Sequence, residues 1–418
     1  MSMTEYISAR EAVTLLGIKP ATLYTYVSRG WVSRIPAPGK RRSSLYLRAD
    51  IEKLKARHDA RAGHAAVAAS ALRYGEPVID SAITAVLDGR LYYRGSDAVQ
   101  LARAGLSFEQ LCELLFDGEL PAARPRWPEP EEPAAAAVLR AQLRDGAGPL
   151  RAMLTALSLC RARSRRVAGE GRAPELERAR GLIAYLAGGP GWAGGRAPRR
   201  HQPVAARVAR ALGVSGDAAA QALELALVLV ADHELNTSTF AARLAASTGS
   251  DLYACLMAAL ATASGPLHGG ATLRVEALVD EAMDARRPAA VVTDRLARGA
   301  RVPGFGHPLY PDGDPRAQAL LETACALGRK QSPRLRAMLQ LADAMEAAGH
   351  PPPNADFGLV ALTQSLRLRP YAAAFVFAVG RLGGWVAHIA EQRASSGRLR
   401  PRARYVGRLP EAGRAAST

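Results

Sequence analysis

Three histidines in short, turn-like segments are the side chains of this sequence best suited to chemistry. They are His233, His268 and His307, three of only eight histidines in the chain. Two glycines follow His268, and a Gly-Phe-Gly segment precedes His307. The backbone can therefore approach a ligand closely there, and the imidazoles lie on turns rather than inside helices. A single histidine of this kind is more often structural, so the prediction rests on the set.

A guanidinium and a carboxylate follow the histidines in a fixed order. Arg316 ends an Asp-Pro-Arg segment, and Asp356 ends an Asn-Ala-Asp segment. A carboxylate can remove a proton while one imidazole polarises a carbonyl group and another protonates a second carbonyl. The set therefore predicts carbon–carbon bond formation through an enol. No metal-binding or nucleotide-binding motif competes with this interpretation.

Length and cysteine usage indicate the class of protein. A chain of 418 residues is too long for one ordinary core and suggests two or three domains. Four cysteines are isolated and form no Cys-x-x-Cys pair, which favours reduced thiols and gives no zinc site. The N-terminus has no secretory pattern, and the longest apolar runs are about half a membrane span. We expect a soluble, cytoplasmic protein with no membrane association.

The charge balance indicates an anionic partner. The sequence holds 55 Lys and Arg against 38 Asp and Glu, a net charge of +17. Such an excess suits a phosphorylated cofactor, a dicarboxylate or nucleic acid. The alternative is the composition of a high-GC genome, in which arginine replaces lysine throughout without a functional reason.

Residues 1–58 predict a small N-terminal domain. Ser8 and Glu11 fit a capping box for a short helix, a second helix follows over 19–29, and 34–46 is typical of a two-stranded wing. This order resembles the winged helix-turn-helix of MerR and excisionase-like DNA-binding modules. Residues 1–64 hold twelve Lys and Arg against five Asp and Glu, which suits phosphate contacts. The predicted DNA contacts are Thr22, Tyr26, Arg29, Lys40, Arg41 and Arg42. The alternative is a helical appendage with solvated charges.

Beyond a linker at 59–71, the sequence predicts one hairpin and then helices almost throughout. Asp88-Gly89, between two short alternating runs, is a type I′ turn signal. Apolar spacing predicts a single helix over 101–116 that ends at Asp117-Gly118. Further helices are expected over 175–187, 203–212, 217–230, 252–261, 273–285 and 317–327.

The chain resembles the citrate synthase family in these segments. The matches lie in order and spacing at 231–236, 265–270, 304–307, 314–316 and 354–357, with others at 88–95, 117–121, 380–388 and 400–402. The resemblance covers about 72–407 and implies a mainly α, citrate synthase-like two-domain fold. It places a large domain at 72–269 and 368–418 and a small domain at 270–367, which closes over the substrate.

The resemblance implies condensation of acetyl-CoA, as a co-substrate, with oxaloacetate and then hydrolysis of citryl-CoA, without a metal or redox cofactor. Asp356 would abstract a methyl proton, neutral His268 would hydrogen-bond the enol oxygen, and His307 would protonate the oxaloacetate carbonyl. The residues implied to hold the oxaloacetate carboxylates are His233, Arg316 and Arg381.

The resemblance also implies a homodimer whose active sites are shared between subunits. Arg400 resembles the arginine that is contributed across the dimer interface. Candidates for gripping CoA are Arg329, Lys330 and Arg334, although solvated charges beside a loop explain these three equally well.

Departures from the family pattern concern the rim of the pocket. Val230 stands where many members carry a further histidine, and Pro308 follows His307 where arginine is frequent. Thr272 and Leu273 stand where asparagine and an acidic residue are common. An altered rim could admit propionyl-CoA, giving 2-methylcitrate synthase activity, or favour citryl-CoA cleavage. The other alternative is a DNA-binding regulator whose synthase-like body senses an acyl-CoA or an oxoacid, and the intact catalytic set argues against it.

Overall fold

The computed structural model describes residues 6–18, 20–28, 31–36, 44–52, 54–55, 79–129, 136–145, 148–163, 171–188, 201–285, 287–328, 332–395 and 397–400. These residues fall into two compact units. One ends at Asp80 and also takes in Arg400, and the other runs from Ser81 to Leu399. The first mixes strands and helices, and the second is mainly helical.

The first unit is a three-stranded antiparallel sheet with helices. Its elements are β1 (Tyr6–Ser8), α1 (Ala9–Leu16), α2 (Pro20–Ser28), β2 (Arg34–Pro36) and β3 (Ser44–Leu47), and the strand order is β1-β3-β2. Residues 48–52 and 54–55 are also helical. The predicted capping box is confirmed, because the Ser8 hydroxyl accepts from the Glu11 N–H and the Glu11 carboxylate accepts from the Ser8 N–H at 2.8 Å. An apolar core of eight buried residues holds the unit together.

Two of the predicted DNA-contact residues lie in the described part of this unit. Thr22 is half-buried on α2, and Tyr26 packs partly against the unit's core, with its ring centroid 5.5 Å from that of Trp31. Strands β2 and β3 pair antiparallel, and the winged helix-turn-helix stays a prediction. Arg29, and the loop with Lys40, Arg41 and Arg42, lie outside the described residues.

The second unit opens with a small sheet of β4 (Thr84–Leu87), β5 (Arg90–Tyr93) and β6 (Ser96–Asp97). Asp88 and Gly89 have φ of 50° and 70°, so both central residues of the turn are left-handed and the predicted type I′ hairpin is confirmed. The two-residue strand β6 extends the hairpin and had no clear signal in the sequence.

Helices make up the rest of this unit. They are α3 (Ala98–Arg103), α4 (Phe108–Asp117), α5 (Ala136–Arg144), α6 (Pro149–Arg163), α7 (Arg172–Gly188), α8 (Val204–Ala211), α9 (Asp217–Val230), α10 (Thr237–Ser247), α11 (Leu252–Ala263), α12 (Ala271–Asp284), α13 (Pro288–Ala297), α14 (Pro315–Gly328), α15 (Pro333–Ala347), α16 (Ala355–Ser365) and α17 (Ala372–Ala394).

The prediction of a single helix over 101–116 was wrong. The helix is interrupted between α3 and α4, where Gly105 adopts a φ of 76°. Glycine takes this conformation without the steric cost that a Cβ would bring. Ser107 then starts α4 through a capping box with Gln110. This Ser-x-x-Gln pattern was present in the sequence, but continuous apolar spacing on both sides of it concealed the break.

Helix α17 runs through the core of the second unit. By length and composition it could cross a membrane, yet its apolar window is completely buried inside the unit, as in the core helix of a folded domain. Glycines let neighbouring segments approach it closely. A Cβ at Gly380 would lie 2.5 Å from Val230 Cγ2, and one at Gly384 would lie 2.5 Å from Asp232 Oδ1. Val230 therefore makes a close apolar contact with α17.

This close approach predicts the effect of adding one methyl group to α17. Gly384→Ala would place a Cβ against the Ala231 carbonyl as well as Asp232 Oδ1, and such overpacking typically costs about 1–3 kcal/mol. We expect its free energy of unfolding to fall by about 3 kcal/mol in urea titrations, because backbone rather than a flexible side chain is in the way. The matched control is Gly181→Ala in α7, where the nearest atom is 3.7 Å away and helix propensity alone favours alanine by up to about 1 kcal/mol. Equal midpoints for the two variants would contradict this packing.

Candidate active site

His233 lies in a segment that two contacts hold in place just after α9. Glu234 has a φ of 51°, a costly conformation for a non-glycine residue, and its carboxylate accepts from the Val86 N–H at 2.8 Å. The Tyr93 hydroxyl lies 3.0 Å from the Val228 carbonyl oxygen. The hairpin therefore clamps the turn that carries His233, and the His233 side chain is buried.

A buried polar chain fixes the residue before His233. The guanidinium of Arg243 has no acceptor atoms, so its Nη1 donates to His388 Nδ1 at 3.3 Å. His388 Nε2 then carries the ring proton and donates to Asp232 Oδ2 at 3.1 Å. Burial alone would raise the pKa of Asp232, but His388 and Arg381 bring it below its ordinary value. Asp232 is therefore ionised, and its hydrogen bond with His388 ties it to α17.

His268 lies on a tight turn between α11 and α12. Gly269 and Gly270 allow this turn, because a Cβ on either would lie 2.7 Å from a backbone oxygen. Burial first, and the charge of Arg381 second, lower the pKa of His268 to about 4. The imidazole is therefore neutral near pH 7 and carries one N–H.

A serine missed by the sequence analysis holds His268. His268 Nε2 lies 2.7 Å from Ser238 Oγ, which also accepts from Trp385 Nε1 at 3.1 Å. Ser238 Oγ lies 2.7 Å from Asn236 Oδ1 as well. Because the hydroxyl has one proton, it donates either to Asn236 or to His268. In the second arrangement the His268 proton lies on Nδ1, which has no partner among the described residues.

His307 ends a loop in which Gly304 and Gly306 have φ of 86° and 72°. The Leu309 N–H donates to His307 Nδ1 at 3.1 Å, so the proton of the neutral ring lies on Nε2. Burial first, and then Arg316, lower the pKa of His307 to about 4. His307 therefore presents a neutral Nε2–H near pH 7.

One asparagine joins the His307 loop to the helix of Asp356. The Asn354 N–H donates to the Gly304 carbonyl at 2.9 Å, and its side-chain amide donates to the Gly306 carbonyl at 3.1 Å. Its Oδ1 accepts from the N–H groups of Asp356 and Phe357 and so caps α16. The same residue therefore positions two of the predicted catalytic groups.

Asp356 is the second residue of α16, and its carboxylate makes no hydrogen bond or ion pair within the described part of the chain. Burial raises its pKa to about 6, with Arg316 and Arg381 opposing that shift and Asp314 adding to it. The side chain keeps some solvent exposure. It is therefore a free carboxylate that is more basic than usual.

The Asp-Pro-Arg segment forms a buried bidentate ion pair. Arg316 Nε and Nη2 donate to the two Asp314 carboxylate oxygens at 2.9 and 2.8 Å. Asp314 Oδ2 also accepts from the Ala355 N–H at 3.0 Å, which links the arginine to the start of α16. This bidentate geometry fixes the plane of the Arg316 guanidinium.

Arg381 is a buried guanidinium whose Nε and Nη1 have no hydrogen-bond partner among the described residues. It stacks on Phe377, with 5.0 Å from Cζ to the ring centroid. Its charge contributes to the pKa shifts of His233, His268, His307 and Asp356, so it lies in electrostatic range of all of them. Buried charged donors need acceptors, and an anionic ligand would supply them here.

The structure brings six of the predicted site residues into one electrostatically coupled group, namely His233, His268, His307, Arg316, Asp356 and Arg381. Arg334 instead pairs with Asp280 at 2.6 Å and Gln364 at 2.7 Å. Arg400 is exposed in the first unit. Arg329 and Lys330 lie outside the described residues.

Tyr310 is a further residue of the site that the sequence analysis missed. Its hydroxyl lies 2.9 Å from His233 Nε2, and its ring centroid lies 5.1 Å from that of His307. Its position three residues after His307, in a loop of prolines, glycine and aspartates, was a usable signal. Ser238 gave no such signal, because it meets His268 and Trp385 only in the folded chain.

Comparisons with known proteins identify a family with this fold. The family profile described as "Citrate synthase, C-terminal domain" matches residues 73–402. Among solved structures, the fold is similar to citrate synthase from Thermoplasma acidophilum, solved as a ternary complex with carboxymethyl coenzyme A and oxaloacetate. The TM-score is 0.73 at 26% sequence identity, and the match covers 82% of this chain and 97% of that one.

Two curated relatives match a shorter stretch. Citrate synthase 2 of Bacillus subtilis is 37% identical over 189 residues, which is 45% of this chain and 51% of the relative. The 2-methylcitrate synthase of Shewanella oneidensis is 33% identical over 192 residues, again 45% of this chain and 51% of the relative. The chain thus spans about half the length of the curated relatives it matches. Because the family profile covers most of the chain and the site holds the family's motifs in one place, the protein belongs to the citrate synthase family.

Proposed function

We propose that this protein condenses acetyl-CoA with oxaloacetate and hydrolyses the resulting thioester to give citrate and CoA. The observation that carries the proposal is the unpaired Asp356 carboxylate, with its pKa raised to about 6, in one coupled group with two neutral histidines and a buried, incompletely bonded arginine. A base, two neutral hydrogen-bond donors and a cationic anchor are what enol-based condensation needs.

In the first step, Asp356 removes a proton from the methyl group of acetyl-CoA. A carboxylate with a pKa near 6 is a stronger base than an ordinary aspartate and is still ionised near pH 7. His268 stabilises the enol oxygen through Nδ1–H, which requires the Ser238 hydroxyl to donate to Nε2. Trp385 donates to the serine oxygen at 3.1 Å in either arrangement, so the proton of Ser238 must turn from Asn236 to His268 for this step.

In the second step, the enol carbon attacks the oxaloacetate carbonyl carbon. A carbon–carbon bond forms while His307 Nε2–H gives its proton to the carbonyl oxygen, which becomes the hydroxyl of citryl-CoA. Water then hydrolyses the thioester: its oxygen bonds to the acyl carbon, one of its protons leaves with CoA as the thiol, and the other restores the neutral His307 ring. Asp356 releases the methyl proton to solvent. Arg316 and Arg381, with His233, hold the oxaloacetate carboxylates, since a guanidinium pairs with a carboxylate through two hydrogen bonds.

The predicted domain division is part of the proposal. An apolar cluster separate from the main core lies within 270–367, built on α12, α13 and α15. Arg367 and Tyr371 have φ of 56° and 72°, so the chain bends sharply where the proposed small domain ends. We place the large domain at 72–269 and 368–418, with closure of the small domain excluding water.

The proposed assembly is a cytoplasmic homodimer in which Arg400 completes the partner's site, and Arg329, Lys330 and Arg334 stay candidates for CoA binding. Cys112, Cys255 and Cys325 form no disulfide, in keeping with a reducing compartment.

The acyl-CoA substrate has a second candidate besides acetyl-CoA. Val230 presents an apolar side chain near the His233 turn, and a 2-methylcitrate synthase is among the relatives. A methylene group in an apolar pocket changes specificity by about 10–200-fold. Propionyl-CoA, giving 2-methylcitrate, is therefore the second candidate, and parallel assays with both acyl-CoA substrates separate the two.

We expect Asp356→Ala to lower kcat by about 10²–10⁴-fold, because general-base catalysis of this kind contributes that much. The measurement is CoA thiol release from acetyl-CoA, and from propionyl-CoA, in the presence of oxaloacetate. Asp343→Ala, an exposed carboxylate on α15, is the matched control and should keep the wild-type rate. Asp356→Ala retaining more than about a tenth of the rate would show that another group is the base.

The pH profile follows from the same carboxylate. Asp356 works only when ionised, so kcat/KM should rise with pH through about 6 and then level off. His268 and His307, with pKa values near 4, are already neutral above pH 5 and should add no further inflection up to pH 8. A profile that falls as pH rises from 6 to 8 would mean that a protonated histidine is required.

DNA binding by the N-terminal unit is a separate proposal, supported by the pairing of β2 with β3 beside α1 and α2. Lys40, Arg41 and Arg42 would contact phosphates, and Thr22, Tyr26 and Arg29 the major groove. A gel-shift with genomic fragments at 50 and 200 mM salt should show a complex that weakens steeply at the higher concentration. No shift, or a shift insensitive to salt, would exclude this role and with it the regulator alternative.

A further inference from the structure

Tyr310 is buried at the centre of the site although it lies in a loop. It is 1% exposed, and its N–H donates to the His307 carbonyl at 2.9 Å while its own carbonyl accepts from the Gly313 N–H at 3.1 Å. Two turns in succession therefore fold the loop inward and hold the phenol side chain in place.

The Tyr310 ring contacts three proposed substrate-handling groups. Its centroid lies 5.1 Å from that of His307 and 5.6 Å from that of His233, and the Arg316 Cζ lies 5.2 Å from it. The Tyr310 ring thus contacts a cation and two imidazoles without adding charge, and the two imidazole centroids lie 5.0 Å from each other.

The hydroxyl of Tyr310 decides where His233 carries its proton. Burial raises the pKa of Tyr310 to about 12 and lowers that of His233 well below its usual value, so both groups are neutral. Within the described residues, His233 Nε2 at 2.9 Å is the one acceptor for the phenol proton. A buried O–H needs such an acceptor, so Tyr310 donates to Nε2 and the ring proton of His233 lies on Nδ1.

We propose that Tyr310 is a positioning residue that fixes the tautomer and orientation of His233, so that Nδ1–H is presented to a carboxylate of the oxoacid. This inference deepens the proposed function and rests on it for the identity of the ligand. It assigns Tyr310 to binding of the oxoacid rather than to the acyl-CoA or to the proton transfers.

The test is Tyr310→Phe, which removes the hydroxyl and keeps the ring. Losing one hydrogen bond to the His233 ring should weaken oxaloacetate binding about tenfold, measured as Kd by calorimetry and as KM by thiol release. The KM for acetyl-CoA should stay unchanged, and kcat should change less than threefold. Tyr371→Phe, the same change at a half-exposed position, is the matched control.

The His233→Asn background tests whether Tyr310 acts through His233. There, Tyr310→Phe should cause no further loss of oxaloacetate affinity, because the two changes remove one coupled unit. An unchanged Kd in Tyr310→Phe, a parallel rise in the KM of both substrates, or full additivity with His233→Asn would each overturn the inference. Oxaloacetate binding without turnover in the wild type would defeat the proposed function alone, whereas no oxaloacetate binding would defeat both.

Discussion

The double role of Asn354 is the constraint on which the site depends. Its backbone and side-chain amides hold the carbonyls of Gly304 and Gly306, while its Oδ1 caps the helix that carries Asp356. His307 and Asp356 are 49 residues apart in the sequence, and Asn354, together with the pairing of Phe305 and Pro353, holds the two segments side by side. An aspartate here could cap the helix but could not donate to Gly306, so an amide is required.

Burial supplies the electrostatic character of the site. Removing water raises the pKa of the carboxyl group of Asp356 and lowers those of His268 and His307, because it disfavours whichever form is charged. One physical effect thus produces a stronger base and two neutral donors. Arg316 and Arg381 limit the shift of Asp356, which keeps the base ionised near neutral pH.

The sequence was sufficient for the residues whose role shows in local patterns. The capping box of Ser8 and the turn at Asp88-Gly89 are short-range signals, and the structure has both. The chemical set was visible because His268 and His307 lie beside glycine, Arg316 follows proline, and these residues stand in a fixed order with His233 and Asp356. The break at Gly105 was missed because apolar spacing continued across it.

Contacts between distant parts of the chain could not be predicted in this way. Ser238 meets Trp385 across 147 positions, and nothing in the spacing of either residue indicates the other. Among the described residues, Nε and Nη1 of Arg381 have no hydrogen-bond partner. This too depends on which distant residues the fold places around the guanidinium. Such features come from tertiary packing, which local propensity does not encode.

Exchange of the acetyl-CoA methyl protons for deuterium tests the central claim most directly, because it reports proton removal apart from condensation. The experiment uses D₂O and a four-carbon hydroxy dicarboxylate, which fills the oxoacid pocket but has no carbonyl to attack. The account predicts that the wild type and a His307→Asn variant exchange the methyl protons, whereas Asp356→Ala does not. Exchange by Asp356→Ala at the wild-type rate would contradict it.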